Sequence, residues 1–195
     1  IQGFVDAGVD PQDAAEYAVM GCNELGIPGK LFDSALPVTC TWIDAEILRN
    51  HLLSGGADGA SSVEQIVAGL EQPYAAMGAK LDERQAIQRS IAETMPTPLT
   101  SALMWGGPAR GADLMVAMPY RIPCIYDRGL VNAVNALSAI ESIVFEKCAM
   151  TLEDLVEAQR GPTLDLTVRE LIAQAPKWGQ DPAADQWMSA LLDLQ

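Results

Sequence analysis

YAVMGCNELGIPGK, residues 17–30, sets Cys22 beside Gly21, places Glu24 two residues later and then gives three of four positions to Gly26, Pro28 and Gly29. The stretch admits two readings: a thiol and a carboxylate held together in a shaped loop, or packing and capping residues with no chemistry. Upstream, VDPQDAAEYAVMG reads as a helix start. Asp10 can accept hydrogen bonds from first-turn N–H groups, and Pro11 has no N–H to lose at the first helical position. Ala14, Ala15, Ala18 and Val19 supply an apolar face, Gly21 ends it, and Cys22 is expected just beyond the helix, in backbone that can take an unusual shape. NELGIPGK is then expected to be a loop.

Downstream, PVTCTW, residues 37–42, has the Val and Thr content of a short buried strand and leads into the helix-like DAEILRNHLLSGG. Residues 61–94 hold a long helical pattern, with a break expected at Gly69 or Pro73. TSALMW is expected to be a short interior strand or the entry to one. GLVNAVNALSAIESIVFEKC, residues 129–148, is the longest apolar helical run; Val131, Val134, Ala139, Ile143 and Val144 are its core contacts, and Asn132 and Asn135 are polar groups in an otherwise apolar surface. Thr151 with Asp154 makes a loose capping box. The end reads helix, turn, helix, with Trp178 and Trp187 available to anchor the turn. Helix dominates and only two or three short stretches suit strands, so the chain is expected to be part of an α/β structure whose other strands lie elsewhere. It opens at Ile1 in already patterned sequence, as an excised internal fragment would.

The totals exclude several classes. With 195 residues and 49% hydrophobic content the chain can bury a sizeable core. A net charge of -14 with no basic patch argues against nucleic acid and anionic membrane surfaces as partners. Cys22, Cys40, Cys124 and Cys148 are far apart, and the sole histidine, His51, has no HExxH context, which argues against a metal site. No signal peptide or membrane-length apolar run is visible, so a cytoplasmic protein with free thiols is expected.

A free cysteine is more often packing than chemistry. Cys40 and Cys148 read as core thiols, and Cys124, between Ile122 and Ile125, reads as packing unless it approaches a pocket. Arg110 and Asp113 are read first as a structural ion pair and second as site-lining groups. Asn132 and Asn135 either bond a polar substrate or tie neighbouring loops. GGADG, residues 55–59, lacks the strand–glycine–helix context of a nucleotide loop and reads as turns. Cys22 differs by its setting between a glycine and a Gly/Pro-shaped loop, with the Glu24 carboxylate near. An ordinary thiolate nucleophile wants a histidine base, and His51 is not placed as one.

Gly21, Cys22 and Glu24, after the acidic, tyrosine-containing EYAVM, resemble the cysteine loop of the glycyl radical enzymes, the pyruvate formate-lyase family. In the eliminase members of that family the loop reads Gly-Cys-Val-Glu; here Asn23 replaces the valine. The resemblance continues through ARGADL at 109–114, NALSAIESIVFE at 135–146, TLEDLVEA and APKWGQDPAADQW at 175–187. It covers nearly the whole chain, and only a central-to-late portion of a family member. It implies a partial glycyl-radical-enzyme barrel, mostly helical with a few short strands, in which residues 1–195 are an internal fragment of the catalytic domain.

The resemblance implies a radical relay: Cys22 carries the hydrogen atom between a backbone glycyl radical and substrate carbon, and Glu24 is the general base on a substrate hydroxyl. Gly21 and Asn23 flank the cysteine where the acyl-transferring members have a second cysteine, which points to elimination by C–O, C–N or C–S cleavage from a small polar hydroxylated substrate. The radical glycine would lie outside this chain, since no Arg-Val-x-Gly-Tyr occurs, so the fragment alone is expected to be inactive. The implied partners are a radical S-adenosylmethionine activating enzyme with an iron–sulfur cluster and a second copy in a homodimer. Two rival readings stand beside this one. In an acyltransferase of the formate C-acetyltransferase type a second reactive cysteine, Cys40 or Cys124, would approach Cys22; in a noncatalytic helical interaction domain Cys22 would be buried and Glu24 solvated.

Overall fold

Proline and glycine cut this sequence into short elements, and the structure, a computed structural model, follows most of those cuts. It describes residues 1–20, 24–31, 39–120, 122 and 124–195. In chain order the elements are α1 (Gln2–Asp6), α2 (Pro11–Ala15), β1 (Ala18–Met20), β2 (Glu24–Gly26), β3 (Thr39–Ile43), α3 (Asp44–Leu53), α4 (Val63–Ala68), α5 (Glu71–Thr94), α6 (Pro98–Leu103), α7 (Gly107–Arg110), α8 (Leu114–Ala117), β4 (Cys124–Arg128), α9 (Leu130–Ile140), a π-helical segment (Glu141–Glu146), α10 (Leu152–Ala158), α11 (Leu166–Gln174) and α12 (Pro182–Leu192). Strands β1 and β2 pair antiparallel, and β3 pairs with β4. The chain forms two units, the first from Ile1–Thr41 and Gly78–Tyr126, the second from Trp42–Met77 and Asp127–Gln195.

Helix starts follow their caps. Asp10, Asp165 and Asp181 each accept a hydrogen bond from the backbone N–H two residues on, Pro11 and Pro182 open their helices, and Thr151 accepts from the Asp154 N–H while donating to the Asp154 carboxylate at 2.7 Å. The long helical pattern breaks at Gly69, which ends α4; Pro73 sits in the first turn of α5, where a proline costs no hydrogen bond. The glycines of GGADG lie in turns, Gly55 and Gly59 at positive φ, as expected. The strand expected in PVTCTW is β3.

Several expectations are overturned, among them the loop expected over NELGIPGK, in which Glu24–Gly26 is the paired strand β2. The helix from Asp10 ends at Ala15, and Ala18 and Val19 lie in β1, with Val19 63% exposed instead of packed. The extended Ala18–Met20 gains a partner strand in Glu24–Gly26, and a ladder satisfies its backbone as a helix would. TSALMW is not a strand: Pro98 presets the first helical φ, the Ser101 hydroxyl donates to Thr97 O at 2.7 Å, and only Met104 is extended. Cys148 is no core thiol; it is exposed, at φ 48, beyond the π-helical segment.

In the first unit Val9, Ala14, Ile27 and Leu31 form a buried cluster, covered by Phe4, Val5, Tyr120 and Ile122. In the second, α9 is the central helix, packed by α3 and α12. Val134, Ala139 and Ile143 are buried there as expected and Val144 is half-buried, while Val131 is exposed. Gly129 caps α9 at φ 74, and a side chain there would press on Ala45, so both conformation and space require glycine. Trp187 is buried and its indole N–H donates to the Glu141 carboxylate at 2.9 Å; Trp178 is exposed, and its backbone N–H donates to the Asn135 side chain at 2.9 Å. Among the described residues no helix is long and apolar enough to cross a membrane.

Candidate functional site

The register of the first hairpin pairs Ala18 with Gly26, Val19 with Leu25 and Met20 with Glu24. Glu24 therefore stands on the last paired rung, and three residues of chain, Gly21, Cys22 and Asn23, separate it from Met20. Cys22 and the Gly21 expected to end a helix lie outside the described residues, and of Glu24 the backbone alone is described.

What holds β2 is well defined. Ile27 and Leu31 exchange backbone hydrogen bonds at 2.9 Å each, closing a turn in which Gly29 takes φ 74. The neighbouring segments read this turn through its carbonyls: the Trp105 N–H donates to Gly29 O at 3.1 Å and the Tyr120 N–H to Lys30 O at 3.4 Å. Lys30 forms a close ion pair with Asp13 and lies 5.6 Å from the centroid of the Trp105 ring. The Tyr120 hydroxyl donates to Asp13 at 2.7 Å and accepts from the Asp10 N–H at 3.3 Å. The hydrogen bond and charge of Lys30 hold the Asp13 carboxyl below its ordinary value, and Asp13 in turn raises Lys30 and Tyr120. This Asp13–Lys30–Tyr120 group positions the hairpin, and no short-range motif announces it: its members are 17 and 90 residues apart along the chain.

Arg110 donates to Ala117 O at 3.0 Å, and Asp113 accepts from the Thr97 and Ser101 hydroxyls at 2.9 and 3.1 Å, so both serve the α6–α8 corner. Asn135 ties the Trp178 turn, the structural alternative of the two weighed. His51 lies in the last turn of α3 against Gly56 and Gly69, its Nε2 unpartnered, and burial lowers its pKa. Cys40 and Cys124 stand on the paired strands β3 and β4; their side chains lie outside the description. Asp44, 1% exposed at the start of α3, accepts from Tyr74 at 2.7 Å and Gln195 at 3.1 Å, and its charge together with burial raises Asp127. Among the described residues no three His, Cys, Asp or Glu groups converge on a metal position.

The family model described as pyruvate formate lyase-like matches residues 1–194. The chain belongs to the pyruvate formate lyase-like family. These are glycyl radical enzymes, and relatives similar to this chain include dehydratases. The chain is 24% identical over 207 residues to the probable dehydratase YbiW of Escherichia coli (strain K12), covering 93% of this chain and 25% of that protein. Its fold is similar to part of the glycerol-bound B12-independent glycerol dehydratase from Clostridium butyricum, with a TM-score of 0.80, 19% identity, and 99% of this chain and 26% of that one covered. It is also similar to hydroxyproline dehydratase from Clostridioides difficile with trans-4-hydroxy-L-proline bound, with a TM-score of 0.77, 21% identity, and coverage of 99% and 26%. The pyruvate formate lyase-like family thus accounts for the helix-rich arrangement with few strands, a partial glycyl-radical-enzyme barrel. The chain spans about a quarter of the length of these relatives.

Proposed function

We propose that this chain is an internal portion of a glycyl radical dehydratase or lyase and that Cys22 and Glu24 are its reacting groups. The observation that carries the reading is the family match over residues 1–194; within it Gly21, Cys22 and Asn23 connect the two ends of the Met20–Glu24 rung. The hairpin is a fitting mount for a hydrogen carrier: the Met20–Glu24 rung holds both ends of the three-residue connection, and the Ile27–Leu31 turn anchors the far end of β2.

The glycyl radical, which this chain does not carry, supplies an acceptor for one hydrogen atom. Cys22 Sγ gives up its hydrogen atom, then takes one from the substrate carbon bearing a hydroxyl. Glu24 accepts the hydroxyl proton as the neighbouring C–O, C–N or C–S bond breaks and the leaving group departs with the bonding pair. Cys22 finally returns its hydrogen atom to the product carbon and regains the one it first gave up, and the proton on Glu24 passes to the departing group. A small vicinal diol or similar hydroxylated compound fits this sequence. By itself the 195-residue chain is inactive. The whole protein requires a radical S-adenosylmethionine activating enzyme, acts as a homodimer and works in the cytoplasm.

The native protein, activated anaerobically and given 1,2-propanediol, glycerol or trans-4-hydroxy-L-proline, tests this. Cys22→Ser abolishes turnover while the glycyl radical signal in electron paramagnetic resonance persists. Glu24→Gln keeps the radical and lowers kcat by about 10²-fold or more. Turnover retained by Cys22→Ser removes the assignment.

A further inference from the structure

The second unit holds a cavity of about 390 Å³ between α3, α9, α10 and α11, a size ordinary for a small-molecule site. Its walls are mostly apolar, with Leu48 and Leu52 from α3, Leu155 from α10 and Ile172 from α11, and three side-chain amides, Asn132, Asn135 and Gln159, also line it. Two charged groups line it, Arg49 and Lys177, and both are cations. That selection is against the odds of the composition, since the chain has 26 acidic residues and 12 Lys plus Arg. No aspartate or glutamate is among the described residues of the wall.

The two cations are in different states, and each has capacity left. Arg49 is exposed at the cavity edge and makes no hydrogen bond or ion pair among the described residues. Its planar fork is free to take a carboxylate with two parallel bonds. Lys177 is half-buried; its ammonium donates to Ile172 O at 2.6 Å and Ala175 O at 2.7 Å, closing the end of α11. An ammonium has three N–H donors, so one remains, and among the described residues no carboxylate pairs with it. Burial lowers the pKa of Lys177, the sign of a cation that would gain from an anion beside it. Closing α11 explains the lysine by itself but leaves unexplained the apolar space and the second cation.

We propose that this cavity binds an amphipathic monocarboxylate, a medium-chain fatty acid, with its alkyl tail among Leu48, Leu52, Leu155 and Ile172 and its carboxylate between Arg49 and Lys177. A single planar anion matches one guanidinium fork and one spare ammonium proton, and the leucine and isoleucine part of the wall offers dispersion and burial to the tail. The site needs no radical and stands whether or not Cys22 reacts.

The test is a titration of the isotopically labelled chain, followed by the methyl resonances of the wall, with hexanoate, octanoate and 1-octanol. Octanoate is expected to shift the methyls of Leu48, Leu52, Leu155 and Ile172 saturably. Each added methylene should tighten binding by about fourfold. Arg49→Gln, on an exposed side chain, should weaken octanoate by roughly fivefold and leave 1-octanol unchanged. Ala136→Leu, which fills the cavity from α9, should weaken both ligands. The proposal is overturned by the absence of shifts, by shifts spread over the surface without saturation, by indifference to chain length, or by equal loss of octanoate and 1-octanol in Arg49→Gln.

Discussion

His51 shows how one residue of unremarkable sequence context comes to constrain its neighbours. Its ring fills the space over Gly56 and Gly69, and a Cβ at Gly69 would lie 2.6 Å from Nε2. Gly69 has ordinary helical backbone angles, so alanine there is penalised only by the collision. Gly69→Ala should therefore destabilise the chain by about 1–3 kcal/mol, and His51→Ala in the same chain should remove most of that penalty. Urea unfolding of the four members of this cycle measures it; additive losses would show that the ring and the glycine do not meet. The same burial sets a pH dependence. The His51 pKa is lowered from 6.5, so as pH falls the unfolded chain takes up the proton first. The stability contributed by the neutral ring is complete above pH 6.5 and is lost as pH falls through the lower folded value. Thermal unfolding of His51→Gln should lose that slope on the acid side of neutrality, and an unchanged slope would assign it to other groups.

At the scale of elements, the start of α3 depends on residues brought from the start of α5 and from the end of the chain. Asp44 enters α3 buried, where the helix N-terminus favours a negative charge, and Tyr74 and Gln195 both donate to its Oδ1. The Tyr74 hydroxyl is pushed to a higher pKa by burial and by that carboxylate, so it remains a donor at any working pH. Tyr74→Phe keeps the ring and removes the donor; unfolding should be about 1.5–3 kcal/mol easier, the range for a hydrogen bond to a charged group, and a loss no larger than that of an exposed Tyr17→Phe would refute the buried contact. Such contacts mark where sequence reading stops. Asp10, Thr151 and Pro182 act within one turn, so their helix starts are readable directly. The alanine-rich run before β1 hides it, because its strand character comes from pairing with Glu24–Gly26, and α6 reads as a strand because the Thr97–Ser101–Asp113 bonds that hold it span 16 residues. The Cys22–Glu24 motif was legible because it is contiguous; the Asp13–Lys30–Tyr120 group and the Arg49–Lys177 cavity are assembled by the fold and have no local signature.

For the whole molecule, long-range charge and local apolar surface act in opposite directions. Ile87 and Ile91 on α5, Met95 beyond it, and Leu99 and Leu103 on α6 follow one another at four-residue spacing, each between 50% and 80% exposed. Monomeric proteins rarely leave so many large apolar side chains together in water. A net charge of -14 opposes association by repulsion between copies, but that repulsion is screened over about 10 Å at 0.1 M salt, whereas apolar contact is not screened. The isolated 195-residue chain should therefore associate more as salt rises, the reverse of an assembly held by opposite charges. Ile91→Glu lies on an exposed position, adds charge within the apolar run and should shift the dissociation constant upward by about tenfold without lowering the unfolding midpoint. Sedimentation velocity across a range of chain and salt concentrations decides it. A monomer at every salt concentration, unfolding cooperatively and reversibly, would mean that these side chains are tolerated in water and that the chain is self-sufficient. Association unaffected by Ile91→Glu would move the contact to another surface.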